Sequence, residues 1–110
     1  MKVDRKGHTT VIKETKGDIQ LFMNNLTNVF HDFKNDNLIV DVSHDNKVTL
    51  VDLLKFKDLV KQHKKAKKSF VIVAENVDFN DVPEDIHIVP SVLEAHDIIE
   101  MEEIERDLGF

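Results

Sequence analysis

The chain has no cysteine, which rules out a disulfide framework, a thiolate metal site and a thiol nucleophile. Tryptophan and tyrosine are also missing, and most of the phenylalanines belong to apolar faces, so the platforms on which unpaired bases stack are lacking. Its three glycines, Gly7, Gly17 and Gly109, stand at element boundaries and form no phosphate-cradling loop. Positive charge is short as well. The net charge of −6 opposes general affinity for nucleic acid, whose phosphates require a positive face. No apolar run approaches membrane-spanning length, and the N-terminus lacks the basic, apolar, small-residue order of a signal peptide. A cytoplasmic location without membrane attachment is therefore expected, and no cofactor motif is found.

What is present is the composition of one ordinary globular domain. A chain of 110 residues, 41% hydrophobic and 33% charged, can bury roughly two-thirds of its unfolded surface unaided. Residues 1–110 read as a single unit with no repeat, linker or low-complexity segment.

The organising stretch runs from Asn37 to Val60. Leu38, Ile39, Val40 and Val42 form a continuous apolar run, the mark of a strand covered on both faces. A polar loop from Ser43 to Lys47 follows, and then a helix starting near Thr49. Thr49 and Asp52 have the spacing of a capping box, with Asp in place of the usual Glu. Leu50, Leu53, Leu54, Phe56, Leu59 and Val60 give that helix a broad apolar face.

Before this stretch, Met1–Lys6 and His8–Glu14 alternate around Gly7 and predict a hairpin or two edge strands. Asp18 is the expected N-cap of a helix whose Ile19, Phe22, Met23, Leu26, Val29, Phe30 and Phe33 share one face. After it, Ser69–Ala74 is a second buried strand, Glu75–Asp85 a loop with at most one turn, and Ile86–Val89 a third core strand. Pro90 and Ser91 then open a final helix. Val92, Ala95, Ile98, Ile99, Met101, Ile104 and Leu108 are its expected apolar side, and Gly109 its stop. The expected fold is α/β: an N-terminal hairpin plus a mostly parallel sheet of four to five strands, with three long helices.

Charge is segregated along the chain. Lys61, Lys64, Lys65, Lys67 and Lys68 crowd the end of the second helix, where cations favour the dipole. Acidic residues from Glu94 to Asp107 crowd the last helix. The bland reading is a pair of solvated faces; the sharper one is a homodimer in which the two patches meet.

Reaction chemistry is not visible. His31-Asp32, His44-Asp45 and His96-Asp97 are pairs, but adjacent residues on a helix diverge by about 100°, so a pair is no chelate. The H-x-H-x-D-H and H-E-x-x-H arrangements of metal hydrolases are absent. Ser43, His44 and Asp45 are neighbours in sequence, which does not make a catalytic relay, and no G-x-S-x-G occurs. A non-enzyme with no metal site is expected.

Three motifs in order carry a family resemblance. They are Asp41-Val42-Ser43, Lys68-Ser69-Phe70-Val71-Ile72-Val73 and Pro90-Ser91-Val92-Leu93-Glu94-Ala95. Together they resemble the STAS domain, the fold of anti-anti-sigma factor antagonists, from about Val40 to Ile99. Regulated members carry D-S-[ST]-G-[LV] at the start of the second helix, with a serine that a partner kinase phosphorylates. Thr49-Leu50-Val51-Asp52-Leu53 stands there instead, with Thr49 the only hydroxyl. The run Glu94–Phe110 also resembles short bacterial chains sometimes named after ribonuclease Z.

The resemblance implies a non-catalytic regulatory module that acts through a protein partner of kinase or sigma-regulator type. Ser43, His44, Asp45, Thr49 and Asp52 would form its contact surface, at the carboxyl-end edge where α/β sheets usually meet ligands. Thr49 is either a phosphoacceptor or only a helix cap. An accessory of an RNA-processing hydrolase is the alternative from another class.

Overall fold

The computed structural model describes residues 1–109; Phe110, the last residue of the run resembling ribonuclease Z companions, lies outside them. Two short strands, β1 (Lys2–Lys6) and β2 (Thr9–Lys13), pair antiparallel around a turn in which Gly7 takes φ +60°. Helix α1 (Ile19–Val29) starts at Asp18, whose carboxylate accepts the Leu21 N–H, and runs into a 3₁₀ turn at Phe30–Phe33. Strand β3 (Asn37–Asp41) follows, buried at every position.

Two helices come next, α2 (Leu50–Leu54) and α3 (Lys57–Lys65), and then β4 (Phe70–Val73). A single 3₁₀ turn at Phe79–Asp81 interrupts the loop to β5 (His87–Val89), and α4 (Val92–Asp107) closes the chain. Its N-cap Ser91 accepts the Glu94 N–H, while Gly109 takes φ +80° just beyond its end.

The five strands lie in chain order, and β2 to β5 are all parallel. Crossovers that step in one direction and keep the usual right hand fall on one face of the sheet. Leu38, Val40, Phe70 and Ile72 accordingly meet Phe22, Leu26, Leu53, Phe56 and Val60 in the larger core. The alternate strand residues Ile39, Val71 and Val73 face the other way and pack with Ala95 and Ile99 of α4. The period of two along β3 and β4 thus feeds both layers.

Two expectations need correction. The second long helix is divided at Lys55–Phe56: Lys55 and Phe56 donate their N–H groups to the carbonyls of Asp52 and Leu53, a tightened end at which α2 stops before α3 begins. The apolar side of α4 is also shorter than expected. Ala95 and Ile99 are buried, but Met101, Ile104 and Leu108 are exposed, as is Leu93. A helix of 16 residues spans about 24 Å, nearly twice the reach of four-residue β4, so its second half outruns the apolar part of the sheet. There the inward line passes to Glu102 and Arg106.

Candidate functional site

Two clusters of polar side chains lie at opposite edges of the sheet. At the carboxyl edge, the loop after β3 is wired by its own side chains. Asp41, buried at the strand end, accepts the Ser43 N–H at 3.0 Å and the Ser43 hydroxyl at 2.6 Å. Asp45 accepts the Lys47 N–H at 2.9 Å, and Val48 turns inward to the core. The capping box at the start of α2 is complete: Thr49 Oγ1 accepts the Asp52 N–H, and the Asp52 carboxylate accepts the Thr49 N–H at 3.0 Å. The Thr49 hydroxyl also donates to Asp52 Oδ2 at 3.1 Å.

Ser43, His44, Asp45, Thr49 and Asp52 therefore stand on one loop and one helical turn, with His44 and Thr49 exposed and the others half-buried. Beside them Val51 is 68% exposed. No catalytic relay is assembled: the partner of Ser43 is Asp41, not His44. Glu14, from the neighbouring strand end, is buried and accepts the Lys16 and Gly17 N–H groups, a role that no local pattern signals. Gly17 sits at φ +68°, where a side chain would be strained.

The amino edge holds a hollow of about 400 Å³ between the end of α3, the starts of β4 and β5, and the last turns of α4. Lys64, Lys67, Lys68, Ser69, His87, Glu102 and Arg106 line it. Arg106 donates to Ser69 Oγ at 3.1 Å and, more loosely, to Asn37 Oδ1 at 3.4 Å. Asn37 Oδ1 also accepts the Ser69 N–H. His87 Nε2 lies 3.2 Å from Glu102. That hydrogen bond holds the Glu102 carboxyl below its ordinary range, against the opposing effect of burial. Lys64 Nζ donates to the Asp85 carbonyl at 2.7 Å.

The lysine-rich end was legible as a charge run, but its meeting with Arg106 was not, because Arg106 is a lone cation within an acidic segment. Both charged segments line this hollow, Lys64, Lys67 and Lys68 from the basic one and Glu102 and Arg106 from the acidic one.

His63 stands among those lysines in the chain, yet it is 1% exposed and belongs to the interior. Its ring lies 5.2 Å from Phe30 and 6.1 Å from Phe70, centroid to centroid. Nε2 lies 2.6 Å from the Asp36 carbonyl, which can only accept, so the proton is on Nε2. Burial lowers its pKa, more than the Asp36 carbonyl raises it. Among the described residues no three His, Asp or Glu side chains converge as metal ligands. His31 pairs only with its exposed neighbour Asp32. No described helix is long and apolar enough to cross a membrane.

The chain matches no protein-family model and no curated protein sequence.

Proposed function

We propose that this protein is a non-catalytic interaction module of STAS-like architecture, and that it regulates a partner through the loop and first helical turn from Ser43 to Asp52. The observation that carries this reading is the state of that loop. Its polar groups are largely engaged with one another, which fixes its shape, while His44, Thr49 and Val51 are exposed where a partner can reach them. A rigid, mixed apolar and polar projection suits protein contact, since little ordering entropy remains to be lost on binding. The sheet in chain order behind an N-terminal hairpin, and the motifs ending at Ser43 and opening at Pro90, support the STAS-like comparison.

Thr49 is the residue through which such a module would be controlled. A phosphoryl group on Oγ1 would remove the donation to Asp52 and bring negative charge beside that carboxylate, loosening the first turn of α2. The test is capture of a kinase or sigma-regulator partner from native cytoplasm by wild type, Thr49→Ser, Thr49→Ala and Thr49→Asp, with intact-mass analysis of the recovered chain. Thr49→Ser keeps the cap and should keep capture; Thr49→Asp keeps a good N-cap but adds charge and should abolish it. Unchanged capture by both Thr49→Ala and Thr49→Asp defeats the proposal. Recovery of a ribonuclease in place of a regulator would point to the accessory role.

A further inference from the structure

We infer that the hollow at the amino edge of the sheet is a binding site for a small anion bearing two or more phosphate groups. Its described wall carries Lys64, Lys67, Lys68 and Arg106 against one carboxylate, that of Glu102, in a chain that is otherwise acidic. Glu102 is already engaged by His87, and Lys64 by a backbone carbonyl. Among the described residues no carboxylate pairs with Lys67, Lys68 or Arg106, which leaves them to meet a guest. The volume, about 400 Å³, lies within the range of small-ligand sites.

Helix-end electrostatics alone do not explain this cluster. Lys64 and Lys65, in the last turn of α3, are placed to offset the dipole. Lys67 lies beyond the helix with φ +60°, closing a Schellman turn: Lys68 donates to the His63 carbonyl and Lys67 to that of Lys64. Glycine is the ordinary residue at that position, and a lysine there is strained. Strain of this kind persists where the side chain serves a purpose.

Arg106 supplies the second, independent feature. Ser69 and Asn37 hold its guanidinium in place with two of its five N–H donors, and the other donors find no partner among the described residues. Asn37, buried beneath it, has an Nδ2 donor that finds no acceptor among the described residues. The surroundings are rich in donors and fixed positive charge. That chemistry favours phosphate, which Arg contacts through a planar fork and Lys as a point charge.

Pyrophosphate is the probe, titrated calorimetrically into the full chain at physiological ionic strength, where weakly held surface charge is screened. One saturable site is expected. Lys67→Gly relieves the backbone, so it should raise the melting temperature while weakening pyrophosphate at least tenfold. Lys68→Gln should weaken binding comparably, whereas Lys61→Gln, on α3 but outside the hollow, should leave it unchanged. Absence of saturation at 1 mM pyrophosphate, equal loss with Lys61→Gln, or tighter binding of citrate than pyrophosphate would overturn the assignment. None of these variants touches Thr49, so partner capture is read separately.

Discussion

His63 shows how much a single side chain can depend on its surroundings. In sequence it is one more polar residue in a basic run; in the fold it is neutral, shielded by Phe30 and Phe70, and tied to Asp36. Burial depresses its pKa below the ordinary 6.5, with Lys68 acting in the same direction and the Asp36 side chain opposing. The unfolded chain therefore takes up a proton more readily than the folded one, and stability rises with pH through this window. The contribution is complete above about pH 6.5 and falls away as the medium is acidified toward the depressed folded value. Thermal melts between pH 7.5 and 5.5 should show a falling Tm. His63→Gln keeps a donor for Asp36 but cannot titrate, and should flatten that slope while lowering Tm at every pH. Glu102 acts lower: its depressed pKa stabilises the fold above the ordinary carboxylate range, a contribution lost on stronger acidification.

At the scale of elements, the short α2 depends on its cap more than the longer helices do. With five residues it cannot sustain itself by propagation, so the reciprocal bonds of Thr49 and Asp52 fix its start. Thr49→Ala should cost about 1 kcal/mol in urea unfolding, and Thr49→Ser much less. Helix α4 is anchored differently. Ala95 and Ile99 are its only buried residues, so Ile99→Ala should cost about 2–5 kcal/mol, measured the same way. Met101→Ala, on the exposed side, should change stability by less than about 0.5 kcal/mol. An apolar residue at the right helical spacing is not a core residue when the sheet beneath it has ended.

Across the whole molecule, the sequence determined the order of elements, the break at Gly7 between two strands, the caps at Asp18 and Thr49, the opening of α4 at Pro90 and Ser91, and the two-sided burial of β3 and β4. These follow from backbone preference and from periods of two and 3.6, which are properties of short stretches. The loop bearing Ser43, His44, Asp45, Thr49 and Asp52 was legible for the same reason, since all five lie within ten residues. Tertiary structure alone decided where the long predicted helix would break and how far α4 would stay in contact with the sheet. It alone brought Asn37, Ser69, His87 and Arg106 together. Asn37 and Arg106 are 69 positions apart, and their contact depends on α4 crossing β3 and β4 on the face opposite the other helices. No local period encodes such a meeting. It arises when burial of Ala95 and Ile99 fixes the path of the helix, and the charged residues beyond them are carried to the end of the sheet.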